Sequence, residues 1–479
     1  MKRIFIIFLF CFSSVFAQNT YQSHEVDTQA TPSGGQQLLN HFISSNLNIP
    51  IRSSFKGINA RVFINAIVET DGSVSNVSVL KGGDSLMNAE AIRVVQLYKA
   101  WKPAVLKEVA VRQAVSLPVV FKSAPVSAYD STSQSLVAYF DKNWITTPEK
   151  EKQKFRRFIP VDHFGMVNGD VLFEKIEDGK WNALGNIPFT KKELWKKNKD
   201  NQKTDSTKVF VLSAYYEVGN QPIYQFIQKG EKGNILEFRQ FGEDNKVVLE
   251  KYYHDNGILR EMNIHGNDIR QRTYWYDNGQ LAGIFDAPTS YEGPSVSIVR
   301  DYYDKNGSHM VKNSNGHILD HQQSFPGIDG RGEVKNGLKE GLWISKSENG
   351  TLLYEEHYSK GNLTKGTSYR NGEKFEYTQF EVQPEFAGGL PSMYNYLATN
   401  IKYPQAAAKK NIQGRVFTTF VVCEDGTLCD FEILQGLDKN IDNEALRVIE
   451  GMSGKWKPGW QRGQKVRVKY NLPINFQLN

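Results

Sequence analysis

The chain repeats itself, and this constrains its fold more than any other feature. Arg415-Val416-Phe417 returns 354 positions after Arg61-Val62-Phe63 (415 − 61), and Asp425-Gly426 stands at the same distance from Asp71-Gly72. At that offset Gly388-Gly389 meets Gly34-Gly35, Pro404 meets Pro50, and Glu444-Ala445 meets Glu90-Ala91. A helix face repeats as well. Met87, Ala91, Val94, Val95 and Tyr98 match Ile441, Ala445, Val448, Ile449 and Met452, all at the spacing of an amphipathic helix. After a gap of one residue, Trp101-Lys102-Pro103 meets Trp456-Lys457-Pro458 and Leu117-Pro118 meets Leu472-Pro473. Residues 25–122 and 380–479 are therefore expected to fold alike, with different structure between them.

The later copy shows what that fold is. Gly388-Gly389 open an amphipathic segment through Leu397 that closes at Tyr403-Pro404. Arg415 to Val422 reads as a strand, Asp425-Gly426 as a hairpin turn, and Thr427 to Leu434 as the return strand. The helix around Ala445 follows, with Asp438 or Asn440 as its cap. Near the end, Val466, Val468, Tyr470, Leu472, Ile474 and Phe476 alternate with Lys465, Arg467, Lys469, Asn471, Pro473 and Asn475. A period of two predicts one strand with an apolar and a polar face. Pro473 cannot donate a ladder hydrogen bond, which places the strand at a sheet edge or a bulge. Edge strands leave backbone donors and acceptors open to an added peptide.

These residues carry a family resemblance. Asn400-Ile401-Lys402-Tyr403-Pro404, Ile412-Gln413-Gly414-Arg415-Val416, Glu444-Ala445-Leu446-Arg447-Val448, Trp456-Lys457-Pro458-Gly459 and Leu472-Pro473-Ile474-Asn475-Phe476 resemble the TonB C-terminal domain, in order and spacing. The resemblance implies an α+β domain in the periplasm that grips an extended segment of an outer-membrane TonB-dependent transporter, or of another envelope protein, by strand addition. Carried onto this sequence, it makes Lys465, Arg467, Lys469, Asn471 and Asn475 the partner-binding edge, with Asn400, Tyr403 and Pro404 shaping the entry. Lys455, Lys457, Arg462, Lys465, Arg467 and Lys469 form an acid-free cationic tract suited to an acidic partner. Edge strands of this type also pair with each other, so a homodimer is an alternative use of the same edge. The first copy has Ile49-Pro50 in place of Tyr-Pro, and Ala110, Gln113 and Ser116 where the second is basic. Partner binding is expected of the second copy first.

Lys2-Arg3, an apolar run from Ile4 to Phe12, and Val15-Phe16-Ala17 before Gln18 read as a cleavable signal peptide over 1–17. The expected location is the periplasm, with an uncleaved, membrane-associated form as the alternative. Of 3 cysteines, Cys11 lies in that segment, while Cys423 and Cys429 flank the Asp425-Gly426 turn. An oxidising compartment would permit a disulfide between the latter two; free thiols on a hairpin are the other reading. The formal charge of +6 is modest and the basic residues are scattered, which argues against a nucleic-acid partner.

Between the copies, Ser127 to Ser135 reads as a linker, Lys191 to Lys208 as a solvated loop, and 123–208 carries no fold assignment. From 209 to 379 the chain is repetitive. Tyr252-Tyr253-His254-Asp255-Asn256-Gly257 recurs as Tyr274-Trp275-Tyr276-Asp277-Asn278-Gly279, followed by Asn306-Gly307, Asn336-Gly337, Asn349-Gly350 and Asn371-Gly372. Asn-Gly favours left-handed angles at both positions, hence tight hairpins. With Gly341-Leu342-Trp343 and Gly361-Asn362-Leu363, the pattern resembles MORN-variant repeats, and implies an all-β region of hairpins stacked as a solenoid.

No nucleophile elbow, phosphate loop, dinucleotide fingerprint or His-Glu-x-x-His stands in the chain. His317 and His321 have metal-compatible spacing only on a helix, which an Asn/Gly-rich hairpin region disfavours. The expectation is a non-enzymatic protein with no cofactor or metal. Two function classes remain. One is a peptide-binding module of TonB-dependent transport. The other is an envelope scaffold whose repeats space two adaptor domains without energy transfer.

Overall fold

The computed structural model describes residues 19–123, 128–197, 206–215, 221–289, 297–319, 330–347 and 349–478. The expected signal peptide, 1–17, lies outside them. The chain divides into two compact units, one through Asn315 and one from Gly316. No described helix is long and apolar enough to cross a membrane.

The first unit opens with the first copy: β1 (Thr20–Tyr21), α1 (Gln36–Asn46), β2 (Ala60–Val68), β3 (Val74–Lys81), α2 (Ser85–Leu97) and β4 (Val109–Phe121). The sheet order is β1-β4-β2-β3, with β2 antiparallel to both neighbours. Alternation turns Val62, Ile64, Ala66 and Val68 of β2 and Leu117, Val119 and Phe121 of β4 to one face. There they join Leu39, Phe42 and Ile43 of α1 and Met87, Ala91, Val94 and Val95 of α2 in a single core. Burying each large side chain of this set contributes about 1.5–3 kcal/mol. Asp84 caps α2 by accepting the Met87 amide at 2.9 Å.

The stretch with no fold assignment is largely sheet. Tyr129–Asp130, Ser135–Phe140, Phe155–Pro160, Val171–Glu177 and Lys180–Ile187 form a five-stranded antiparallel meander. Of the expected linker, Ser127 is outside the described residues, and Tyr129–Asp130 and Ser135 belong to strands. The expected solvated loop is corrected too. Phe189–Lys197 pairs with Ser206–Ala214, with Phe189 opposite Ala214 and Leu194 opposite Val209; residues 198–205 are outside the description.

From Phe189–Lys197 to His309–Lys312, described strands of the first unit pair antiparallel with the next in sequence order. In the second unit, the strands from Arg331–Lys335 to Glu373–Tyr377 do the same. A solenoid is therefore not what forms. Turns this short join strands as in-sheet neighbours, and the outcome is a meander. The Asn-Gly expectation also divides. Asn336-Gly337 and Asn371-Gly372 are left-handed at both residues, but at Gly257, Gly279, Gly307 and Gly350 only the glycine is. At these four the turn is type I followed by a glycine bulge. Gly257 donates to the His254 carbonyl at 2.9 Å, and the register slips between Tyr252 and Tyr253.

The first copy sits on these turns. Ile258, Leu259, Trp275 and Leu281 belong to its core. The Asn46 side-chain oxygen at the end of α1 accepts the Leu259 amide at 3.0 Å, and the Lys99 amide donates to the Asn278 carbonyl at 2.9 Å. A Cβ on Gly279 would stand 2.9 Å from the Phe42 ring, so only glycine allows this approach.

In the second unit the later copy comprises α3 (Gly389–Asn400), β5 (Gly414–Val422), β6 (Leu428–Gln435), α4 (Lys439–Glu450), β7 (Gln464–Val466) and β8 (Val468–Phe476). Asp438 is the cap of α4, accepting the Asn440 amide at 2.9 Å. Val416, Phe420, Val422, Leu472, Ile474 and Phe476 meet Ile441, Ala445, Val448 and Ile449 in its core. It is fastened by a different surface. Arg462, in the turn before β7, donates to the fully buried Glu356 at 2.8 Å and stacks 3.6 Å over the Tyr354 ring. Tyr358 and Tyr377 hydroxyls complete the cradle of Glu356 at 2.8 and 2.7 Å.

Candidate functional site

β8 pairs with β5 from Val422↔Val468 to Gly414↔Phe476, and among the described residues nothing pairs with its other side. The edge expected from Pro473 is thus present. The single strand expected from Lys465 to Phe476 is not, because it breaks at Arg467. β7 turns to pair with Gly459–Gln461 while β8 pairs with β5, and the chain bends where it changes partner.

Which backbone groups face outward follows from parity. Residues of an antiparallel pair alternate between exchanging both hydrogen bonds and exchanging none. Pro473 has no N–H and lies opposite Phe417 in mid-strand, so its class is the one that exchanges none. Lys469, Asn471 and Asn475 share that parity and direct their amides and carbonyls away from β5. In the first copy β1 docks on β4 with Thr20 opposite Arg112, and Arg112 has the same parity relative to Pro118.

Lys469, Asn471 and Asn475 are exposed along this edge, and the Tyr403 ring meets Phe476 at its end, 6.0 Å between centroids. Tyr403 is half-buried, its hydroxyl bonded to the Ile412 carbonyl, and Pro404 starts a short helix, Gln405–Ala408. Asn400 lines a separate cleft of about 590 Å³ with Phe386, Asn395, Tyr396, Thr399 and Lys455. The cationic tract is largely paired within the protein. Lys457 meets Glu385 at 3.0 Å, Arg462 meets Glu356, Arg467 meets Asp430 at 2.7 Å, and Lys469 lies 3.8 Å from Glu432. Lys465 rests over the Trp460 ring at 5.7 Å. Much of the expected attraction for an acidic segment is thereby spent inside the fold.

Cys423 and Cys429 are free thiols. Val421 stands opposite Cys429 and Val422 opposite Leu428, so Cys423 is the diagonal neighbour of Cys429 across the hairpin. Burial first, and the neighbouring Cys429 second, push the Cys423 thiol up. Arg467 donates to the Cys429 sulfur at 3.2 Å. In the first copy the matching positions are Glu69 and Ser75. There Arg112 binds Glu69 at 2.7 Å and holds its carboxyl below the usual range.

The copies differ at the edge itself. β1 covers β4 at Arg112 and Gln113 in parallel, and the buried Gln113 side chain accepts the Ala30 amide at 2.6 Å. They agree behind it. Glu90 accepts the Asn48 amide at 2.6 Å and pairs with Arg93, which reaches the Asn46 carbonyl at 2.6 Å. Glu444 accepts the Lys402 amide at 2.6 Å and pairs with Arg447, which reaches the Asn400 carbonyl at 2.8 Å. This clamp ties the end of the first helix to the second. The 354-residue offset aligns all of its members, and a search for polar pairs at that offset would have found it.

Residues 46–123 and 399–478 match the family model described as Gram-negative bacterial TonB protein C-terminal. No curated protein matches the chain. Two NMR solution structures of the Helicobacter pylori TonB C-terminal domain are similar to part of it. One spans residues 179–285 of that protein, with 19% identity over 18% of this chain and 78% of that one, and a TM-score of 0.16. The other spans residues 194–285, with 18% identity over 18% of this chain and 90% of that one, and a TM-score of 0.15. The chain carries two TonB C-terminal domains, one near each end.

Proposed function

We propose that the later domain is a periplasmic binding module that takes an extended segment of an outer-membrane TonB-dependent transporter, or of another envelope protein, as an added strand on β8. The observation that carries the reading is the contrast between the copies. One edge is covered by the chain's own β1, and the other is left open by the described residues at Lys469, Asn471 and Asn475. Tyr403 stands at the Phe476 end of the edge, where an entering segment would meet it. Cys423 and Cys429 lie beside Arg467 at the other end.

Asn471→Pro tests this in the full chain. It removes one outward donor and leaves the β5 pairing in place, so capture of the transporter segment falls about tenfold while the fold persists. Asn471→Ala, with its N–H intact, retains capture. A photo-crosslinking residue at Asn475 identifies the segment. Undiminished crosslinking in Asn471→Pro would exclude strand addition at this edge.

The scaffold reading has its own observation: the first domain is seated on the hairpin ladder through Leu259 and Asn278 rather than held apart from it. In that reading the MORN-like ladder is the platform, and energy transfer is not part of its role.

A further inference from the structure

The surface by which the first domain grips the ladder has a vacant counterpart in the second. Asn46 turns its side-chain amide back to the Phe42 carbonyl at 3.0 Å, which leaves its oxygen to accept the Leu259 amide at 3.0 Å. Asn400 makes the same turn, to the Tyr396 carbonyl at 2.8 Å, and among the described bonds its side-chain oxygen takes no donor. Around Asn46, His41 packs on Trp275 at 5.7 Å, Phe42 meets Gly279, and the Ser45 carbonyl accepts Lys251 at 3.4 Å. At the 354-residue offset these are Asn395, Tyr396 and Thr399, which with Asn400 line the open cleft of about 590 Å³.

What fills the first surface also has an unoccupied relative. The gripped turns read Asn256-Gly257-Ile258-Leu259 and Asn278-Gly279-Gln280-Leu281, and the chain has a third of this form, Asn349-Gly350-Thr351-Leu352. Its backbone matches. Gly350 donates to Ser347 at 2.9 Å as Gly257 does to His254, Ser347 donates to Thr351 at 2.8 Å as His254 does to Ile258, and Lys346 faces Leu352 as Tyr253 faces Leu259. The third turn is ungripped among the described residues: Leu352 is only half-buried, where Leu259 and Leu281 are buried, and Leu353 beyond it is 41% exposed.

We propose that the α3 cleft is a clasp for an Asn-Gly-x-Leu hairpin turn, and that its occupant is the Asn349–Leu352 turn of a second copy of this chain. Clasp and turn both belong to the second unit, so two chains can exchange them reciprocally. Such an interface is isologous and closes at a dimer. The Asn400 side-chain oxygen accepts the Leu352 amide of the other chain, and Tyr396 lies against its Gly350. This surface is separate from the β8 edge, so it leaves that edge free for a partner.

The test uses the full chain. Sedimentation measures dimerisation of the parent, of Asn400→Ala, which removes the acceptor, and of Thr351→Lys, which places a charge in the turn. Each variant alone weakens the dimer on the order of tenfold. An equimolar mixture of the two recovers association, because the mixed pair keeps one intact clasp and one intact turn. A photo-crosslinker at Asn395 links to a peptide containing 347–353. A monomeric parent, variants that dimerise like the parent, a mixture no better than its components, or crosslinks elsewhere would each overturn the proposal.

Discussion

Gly426→Ala is the substitution whose cost can be worked most directly. Gly426 ends the β5–β6 turn at φ +83°, in the left-handed region. Placing a Cβ there costs about 1–2 kcal/mol. That Cβ would also fall far inside van der Waals contact of the Trp456 carbonyl oxygen, which is backbone and cannot swing aside. Moving it displaces the Phe386↔Trp456 pairing and a ring that packs on Phe386, Phe420 and Tyr470 at 5.6, 5.6 and 4.9 Å. Strain of that kind in a packed core costs about 1–3 kcal/mol more. The expected total is about 2–5 kcal/mol. Gly454→Ala in the same domain is the control, with φ +76° and nothing within 4 Å of its Cβ, and should show the backbone term alone. Gly72→Ala, at φ +82° against the Trp101 carbonyl, should repeat the larger loss in the first domain. With two compact units a single melting midpoint is not a two-state quantity, so the assay is amide hydrogen exchange in β5 and β8. If Gly426→Ala and Gly454→Ala lower protection equally, the carbonyl contact is not what requires glycine.

Acid should loosen the clamps. Arg112 holds the Glu69 carboxyl, and Arg447 the Glu444 carboxyl, below the ordinary 4.5. A carboxyl depressed on folding contributes stability that is complete above pH 4.5 and is lost as pH falls through its folded value. Exchange at the Lys402 amide should therefore rise in that acid range, and Glu444→Gln should abolish the step. Arg462→Ala leaves the fully buried Glu356 without its guanidinium, at a cost of about 3–5 kcal/mol, read as lost protection in Tyr354 and Ser368 before the β5 amides respond.

Much of the terminal fold was legible because its signals are local. The Ala445 helix face, the Asp425-Gly426 turn and the alternation through Phe476 each depend on a few neighbouring residues, and all three stand where expected. The break at Arg467 was hidden because Val466 and Val468 keep the alternation while pairing with different strands. β1 was hidden for another reason. Two residues that pair with Arg112 and Gln113, some ninety positions on, carry no period of their own. The ladder was half legible. Asn-Gly marked the turns, but turn type depends on how the flanking strands are registered, and a bulge at Tyr252–Tyr253 moves the left-handed angle onto glycine alone. In the cationic tract, composition showed the charges and not the carboxylates that fold against them.

The bulged turns bear on how this protein ages. An Asn-Gly bond deamidates when the glycine nitrogen attacks the asparagine side-chain carbonyl, closes a succinimide ring and releases ammonia. In the ladder the nitrogens of Gly257, Gly279 and Gly350 donate to the carbonyls of His254, Tyr276 and Ser347 at 2.9, 3.0 and 2.9 Å. The side-chain oxygens of Asn256, Asn278 and Asn349 meanwhile accept the amides of Ile258, Gln280 and Thr351 at 3.1, 3.0 and 3.1 Å. Nucleophile and electrophile are each engaged elsewhere, and a turn fixed at both ends cannot bring them into line. Three of the most labile dipeptides in protein chemistry are thus protected for as long as the hairpins hold, and isoaspartate at these sites would accumulate as a record of time spent unfolded.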